Sequence, residues 1–266
     1  HPIPSAYNHS MNLLVNFATE AFFPAQRLNS ESGRDVGGFD AVYSANPDLI
    51  DDQFKERHHL ILSQARGAGY WLWKPYFILK GLDQLQDGDC LMYADAASHF
   101  IHSAKPLLEL PITFNQDIIP FELEQLESEW TKRDAYHFMA TDPQGFEKSR
   151  QFLASFIVIR KSPGSVNFIK QYLKYCCNPN ILTDLENICG LENYPGFRGH
   201  RHDQSVFSLL CKKYGLEGFR DPSQWGNSQA SRFSNSNYPQ ILEHTRQASP
   251  EQAGLLYKIK RFLFPK

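Results

Sequence analysis

The chain has 266 residues, enough for one large domain or two small ones with a sizeable core. Its formal net charge is -2, which argues against a nucleic-acid-binding protein, because proteins that grip phosphates usually carry an excess of Lys and Arg. The five cysteines form no pair of C-x-x-C units, so neither a zinc site nor a disulfide framework is expected. Free thiols favour a reducing compartment, and we therefore expect a cytoplasmic protein.

The first half of the chain alternates between predicted strands and helices. The apolar run "MNLLVNFA" at 11–18 predicts a buried strand, and "FDAVYSA" at 39–45 predicts a second one. Early acids followed by apolar residues at helical spacing predict a helix over 50–65. A further helix is predicted over 74–84, and "DGDCLMYADA" at 87–96 predicts a turn followed by a short strand.

The second half continues this alternation. Residues 120–130 are predicted to be helical, and "FLASFIVIR" at 152–160 is the most strand-like stretch of the chain. Amphipathic helices are predicted over 165–177 and 203–213, followed by an irregular Ser/Asn/Pro-rich segment over about 221–240 and a strand-like "YPQILEHTR". Strands that alternate with helices predict a single α/β domain with a mostly parallel central sheet flanked by helices.

One carboxylate stands at the end of a predicted central strand. Asp95 follows the apolar run that contains Tyr93. Ligands of open α/β sheets bind outside the carboxyl ends of the strands, and oxygen ligands suit Mg²⁺ or Mn²⁺ beside a diphosphate. The other interpretation is that Asp95 caps the next turn, and the strand alone does not separate the two.

A second polar cluster, "GHRHDQS", precedes an apolar helix. Asp203 begins this helix, so capping is a strong structural explanation. However, the five consecutive polar residues from His200 to Gln204, with His202 among them, exceed what a cap needs. A helix N-terminus suits an anionic or hydroxyl-rich ligand, so we expect a functional role.

Two further sets of polar residues have more than one interpretation. Lys132 and Arg133, in "WTKRDAYHF", are either solvated surface or face a diphosphate. His244 is either a structural histidine or supplies a nitrogen to a metal.

Several strings carry a resemblance to a known family. In chain order they are "GAGYWLWKPYFI", "GDCLMYADAA", "EWTKRD", "NYPGFRGHRHDQSVFSLLCKKYGL" and "YPQILEHTR". Together, over roughly residues 10–247, they resemble GT-A type glycosyltransferases of bacteria and viruses. The W-x-W-K-P and H-R-x-D-Q-S motifs are the most specific of these strings.

The resemblance implies a Rossmann-like half over about 10–100 that binds a UDP- or GDP-sugar, and an acceptor half over about 101–250. Asp95 stands where the family has the first acid of its metal-binding D-x-D, and the second acid is missing because Ala97 takes its place. His244 resembles the histidine that completes a Mn²⁺ or Mg²⁺ site in related retaining enzymes.

The same resemblance assigns the remaining site residues. It places Asp203 and Gln204 near the transferred sugar, and Gln151 ahead of a strand beneath the donor sugar. Tyr93 and His202 are expected to contact the nucleotide sugar. Trp73 is expected to shape the nucleotide pocket or to pack in the core. Lys74 is expected to point at phosphate or to pair with an acid near Asp95, because adjacent aromatic rings exclude water and so strengthen the interactions of its charge. The other interpretation of Lys74 is a surface lysine in the first turn of the helix.

The predicted function is therefore glycosyl transfer, with retention of configuration, from a nucleoside diphosphate sugar to a saccharide or lipid-linked acceptor. The missing second acid favours an alternative, a non-catalytic protein that binds nucleotide sugars or carbohydrates. The basic and apolar tail over 251–266 either contacts the inner face of a membrane as a peripheral segment or packs as a terminal helix.

Overall fold

The computed structural model describes residues 10–142 and 144–245. The predicted tail over 251–266 lies outside this part of the chain. The strands are β1 (Asn12–Phe17), β2 (Ala41–Ala45), β3 (Cys90–Ala94), β4 (Ser98–Phe100), β5 (Ile118–Leu126), β6 (Arg150–Arg160), β7 (Phe219–Arg220) and β8 (Leu242–His244). The four longest helices are α1 (Phe23–Ser32), α2 (Trp73–Leu82), α3 (Pro163–Cys176) and α4 (His202–Lys213). Shorter helices span Asp52–Arg57, His59–Leu62, Lys105–Leu108, Leu110–Thr113, Glu127–Trp130, Arg133–Phe138 and Pro179–Leu182.

Six of the strands form one central sheet in the order β2-β1-β3-β6-β5-β7. β1 pairs in parallel with both β2 and β3, β5 pairs in parallel with β7, and β6 alone runs antiparallel to its two neighbours. β4 and β8 form a separate antiparallel ribbon in which Ser98 lies opposite His244. The expectation of a mainly parallel α/β sheet is confirmed.

The sheet is buried on both faces, which explains why its central strands are almost continuously apolar. Leu13 and Val15 of β1 pack on one face in a core that includes residues of α2, α3 and α4. Leu14, between them, packs on the other face against a core that contains Phe100 of β4. The period of two in a strand thus divides the apolar side chains between two layers of core.

The predicted helix over 120–130 is wrong for most of its length. This stretch belongs to β5, and only Glu127–Trp130 is helical. Phe121 pairs with Leu153 of β6 and with Phe219 of β7, so the segment is held between two strands. Pairing with β6 and β7 here overrides the local preference of a Glu- and Leu-rich segment for helix. The predicted helix over 50–65 is also shorter than expected, because it is interrupted at His58.

Candidate active site

A cleft of about 520 Å³ opens at the carboxyl edge of the sheet. The N-termini of α2 and α4, the end of β3, the middle of β6 and the strand β8 all contribute to its lining. Among the predicted site residues, Lys74, Asp95, His202, Asp203, Gln204 and His244 line it. The topology therefore brings together polar residues that are far apart in the chain, in the place where open α/β sheets bind ligands.

A left-handed turn carries the chain into this cleft. The five successive residues Gly67, Ala68, Gly69, Tyr70 and Trp71 all have positive φ, between 49° and 97°. Left-handed conformation costs non-glycine residues roughly 1–2 kcal/mol each, so the turn is strained. The two glycines help to build a turn that places Trp71 in the lining of the cleft.

The glycines of the turn are required by close packing as well as by φ. A Cβ on Gly67 would lie 2.3 Å from the ring of Trp71, and one on Gly69 would lie 2.7 Å from the Cα of Leu62. The neighbouring Trp73 is a core residue: its ring stacks on Phe17 with centroids 3.8 Å apart, and it is 5% exposed. The core-packing interpretation of Trp73 is the one that the structure supports.

Lys74 is the central charge of the site. Its Nζ lies 2.7 Å from Oδ2 of Asp203 and 3.6 Å from Oδ1 of Asp95, and it donates a hydrogen bond to the carbonyl oxygen of Ala154. The lysine is 3% exposed, so it is not a surface residue of the first helical turn. Burial alone would lower its pKa, but the two carboxylates raise the pKa of Lys74 above its ordinary value.

Asp203 is held by this ammonium group rather than serving as a helix cap. The helix α4 begins one residue earlier, with Arg201 as the N-cap and no capping hydrogen bond from its side chain. The capping interpretation of Asp203 is therefore wrong. Burial raises the pKa of Asp203 to about 6, against the lowering effect of Lys74. Its charge state consequently changes close to neutral pH.

Asp95 is oriented by its own strand. The hydroxyl of Tyr93 donates to Oδ1 of Asp95 at 2.7 Å, and the backbone N–H of Asp95 donates to the carbonyl of Ser155. Tyr93 is fully buried, and burial together with the Asp95 charge raises its pKa well above the ordinary value. Tyr93 is thus a neutral donor that positions the carboxylate, while Asp95 itself faces the cleft.

The entrance of α4 adds a histidine and an amide to the site. His202 is 2% exposed and has a positive φ of 50°, and its Nδ1 lies 2.9 Å from the carbonyl oxygen of Leu182. Burial lowers the pKa of His202, which favours the neutral ring. Gln204 is fixed at both ends of its amide: Oε1 accepts from the N–H of Ala154, and Nε2 donates to Oε1 of Gln151 at 2.8 Å. Gln151 is fully buried and lies behind the cleft.

Lys132 and Arg133 do not line the cleft. The ammonium of Lys132 donates to the carbonyl oxygen of Leu185, and Arg133 pairs with Asp142 at 2.8 Å while lying over the ring of Tyr194. Both cations therefore hold the loop after α3 in place. Nothing in the described part of the chain brings them to a diphosphate beside Asp95.

The described side chains do not make a metal site on their own. Asp95 and His244 both line the cleft, but residues 10–142 and 144–245 contain no group of three or more His, Cys, Asp or Glu side chains that could hold a metal ion. Oδ1 of Asp95 already accepts from Tyr93 and lies near the Lys74 ammonium. A divalent cation at Asp95 would thus need further ligands from elsewhere and would have to tolerate a neighbouring positive charge.

Two of the residues that sequence reasoning missed are a tryptophan in the lining of the cleft and a carboxylate behind it. Trp225 lines the cleft from a 3-10 segment, Gln224–Arg232, and its side chain is 54% exposed. The only signal in the sequence was a tryptophan inside a polar, irregular stretch. Glu127 is fully buried behind Gln151, and no local signal reveals it, because its segment was predicted to be helical and its partners are distant in the chain.

Solved structures with a similar fold share little sequence with this chain. The apo form of mouse xyloside xylosyltransferase 1 matches with a TM-score of 0.50 and 10% identity over 90% of this chain and 98% of that chain. An active-site mutant of LgtC matches with a TM-score of 0.48 and 12% identity over 93% and 95% of the two chains. A glycosyltransferase involved in glycosylation of the major capsid of PBCV-1 matches with a TM-score of 0.45 and 12% identity over 92% and 99%. No protein-family model matches the chain, and no curated protein does.

The likeness to the xylosyltransferase concerns the fold. It spans nearly the whole of both chains, and it agrees with a mainly parallel six-stranded sheet flanked by helices. None of the helices in residues 10–142 and 144–245 has the length and apolar character of a membrane span. The chain therefore has a single-domain GT-A fold.

Proposed function

We propose that this protein is a glycosyltransferase that moves a sugar from a UDP- or GDP-sugar to a saccharide or lipid-linked acceptor. The observation that carries the proposal is the buried ammonium of Lys74 between Asp95 and Asp203, in a cleft at the carboxyl edge of a GT-A sheet. Burying a cation and two carboxylates costs desolvation free energy that their attraction need not offset, so such a cluster is weak evidence of a purely stabilising role. Its position in a cleft favours a role in binding or catalysis.

The proposed reaction separates charge, and the site contains both signs of charge. When the bond from the anomeric carbon to the diphosphate oxygen breaks, the electron pair leaves with the diphosphate and the sugar becomes oxocarbenium-like. Lys74 would stabilise the departing diphosphate, and the carboxylate of Asp203 would stabilise the cationic sugar. In the retaining course that we propose, the acceptor hydroxyl attacks from the side on which the diphosphate leaves and gives its proton to the leaving phosphate oxygen.

The divalent metal that the resemblance implies stays a prediction. Asp95 and His244 are the residues that would contact it, and its chemistry would be to neutralise charge on the leaving diphosphate. Because the described side chains do not complete such a site, no step of the proposed reaction depends on the metal. The fixed positive charge that the structure places beside Asp95 is the ammonium of Lys74.

The proposal is tested by turnover of nucleotide sugars. The wild-type protein is incubated with a panel of UDP- and GDP-sugars, with and without Mn²⁺, and release of UDP or GDP is followed by chromatography. Asp95→Asn and Asp203→Asn should each lower release by at least roughly 100-fold, the size typical of a lost charge contact in the transition state. Asp142→Asn is the matched control, because Asp142 pairs with Arg133 away from the cleft. Full activity in both cleft variants would place the active site elsewhere.

The second candidate is a protein that binds nucleotide sugars or carbohydrates without transferring them. The observation in its favour is that Ala97 stands in place of the second acid and that no group of metal-ligating side chains forms among the described residues. Calorimetric binding of a nucleotide sugar by a protein that releases no nucleotide over hours, with any acceptor tested, would decide for this candidate.

A further inference from the structure

A buried chain of hydrogen bonds runs from Glu127 to the cleft. Glu127 is fully buried, and its Oε2 accepts from Lys212 and Ser208 of α4. Its Oε1 accepts from the hydroxyl of Thr131 and from Nε2 of Gln151. Because this carboxylate is paired with an ammonium group and has donors on both oxygens, it acts only as an acceptor. The atom of Gln151 that faces it must therefore be the nitrogen.

Two hydroxyls impose the same orientation on the Gln151 amide. Nε2 of Gln151 lies 3.2 Å from Oγ1 of Thr131 and 3.3 Å from Oγ of Ser205. The hydroxyl proton of Thr131 is already donated to Glu127, and that of Ser205 to the carbonyl of Trp130. Both hydroxyls can thus only accept from Gln151. Its Oε1 is left to point the other way, toward the cleft.

The orientation of Gln151 in turn decides that of Gln204. Oε1 of Gln151 accepts from Nε2 of Gln204 at 2.8 Å and from Nη1 of Arg201 at 3.3 Å. With its nitrogen committed there, Gln204 turns its Oε1 to the N–H of Ala154. If the Gln151 amide were reversed, its nitrogen would face Nε2 of Gln204 and its oxygen would face Oε1 of Glu127. Buried polar groups left without a matching partner in this way cost free energy.

We propose that Glu127 is a positioning residue, which sets through Gln151 the direction in which Gln204 presents its amide to the transferred sugar. The inference rests on the proposed function for the role of Gln204, but the relay of orientation stands on hydrogen bonds alone. Glu127 does not itself line the cleft, so it acts only through its neighbours.

A charge exchange between two positions tests the relay. In Glu127→Gln, the oxygen of the new amide stays with Lys212 and Ser208, and its nitrogen faces Gln151. Gln151 must then reverse, and Gln204 with it. We expect kcat for nucleotide release to fall roughly 10-fold, the effect of misplacing one fixed hydrogen bond, with KM for the nucleotide sugar within about twofold. In the double variant that also carries Gln151→Glu, the new carboxylate can accept hydrogen bonds both from the amide at position 127 and from Nε2 of Gln204. We expect kcat to return to within about threefold of wild type.

A control separates positioning from stability. Ser208→Ala removes one donor to Glu127 but leaves the carboxylate paired with Lys212, so it should lower the melting temperature while kcat stays within about twofold. If the losses of Glu127→Gln and Gln151→Glu simply multiply in the double variant, the two residues are not coupled and the inference is wrong.

Hydrogen exchange at a backbone amide tests the relay without any measurement of enzymatic turnover, so it does not depend on the proposed function. The backbone N–H of Ala154 donates to Oε1 of Gln204, so reversal of that amide should speed hydrogen exchange at Ala154 in Glu127→Gln and restore slow exchange in the double variant. Unchanged exchange at Ala154 would overturn the relay. A wild-type protein that releases no nucleotide would overturn the proposed function, and the exchange experiment would still decide the relay.

Discussion

Replacing Lys74 by methionine tests whether this buried cation holds the site together. The change removes the ammonium group that lies 2.7 Å from Asp203 and 3.6 Å from Asp95, and it leaves a side chain of similar length. Breaking a buried ion pair by removing one partner costs about 3–5 kcal/mol, because the remaining charge is left without compensation. We expect a loss of this size in the free energy of unfolding at pH 8.

The loss should depend on pH in a direction that the structure defines. The pKa of Asp203 is raised to about 6 by burial even with Lys74 present, so Asp203 is largely protonated in the folded protein at pH 5. A carboxyl group whose folded pKa is raised stabilises the fold at low pH and loses that contribution as pH rises through the folded pKa. Without Lys74 the folded pKa rises further, and the loss extends to higher pH. The penalty of Lys74→Met should therefore be smaller at pH 5 than at pH 8, by about 2 kcal/mol.

Urea unfolding at pH 5 and pH 8 measures the loss of stability in Lys74→Met and the change of that loss with pH. Lys132→Met is the matched control, since Lys132 is also 3% exposed but lies away from the cleft with Asp134 at 3.9 Å. The control should show no comparable dependence on pH between these two values. Equal penalties for Lys74→Met at both pH values would refute the assignment of a shared charge between Lys74 and Asp203.

The left-handed turn, the titration of Asp203 and the implied metal can each be tested separately. Gly67→Ala should lower the free energy of unfolding in urea by about 2–4 kcal/mol, because it combines a positive φ with a Cβ that lies 2.3 Å from the indole ring of Trp71. Gly190→Ala also has a positive φ, but its added Cβ meets no atom within 4 Å, so it should cost only about 1 kcal/mol. Equal losses would show that φ alone matters. The rate of nucleotide release should fall as pH drops below about 6, because Asp203 takes up a proton there, and a profile that is flat from pH 5 to pH 8 would exclude Asp203 from the reaction. If Asp95 and His244 hold a divalent metal, removal of Mn²⁺ by a chelator should weaken UDP binding in calorimetry by at least about 10-fold, with His244→Ala insensitive to the chelator. The same affinity with and without chelator would count against the metal.

The sequence by itself determined the class of the fold and several of its parts. The strands β1, β3 and β6 could be predicted because each is a continuous apolar run, as expected for strands covered on both faces. Asp95 could be placed at a strand end, and α4 could be placed behind the polar cluster, because both signals are local. The position of a carboxylate at the carboxyl edge then follows from the general behaviour of parallel sheets.

Only the tertiary structure decided which charges meet. Lys74 and Asp203 come from different helices, and no local pattern shows that the two N-termini converge on the end of β3. The β5 segment could not be recognised, since its pairing with β6 and β7 is a contact between distant parts of the chain. The left-handed turn before α2 could not be predicted for a different reason: a single left-handed glycine is a common end of a helix, whereas five successive residues of positive φ, three of them non-glycine, follow no local preference.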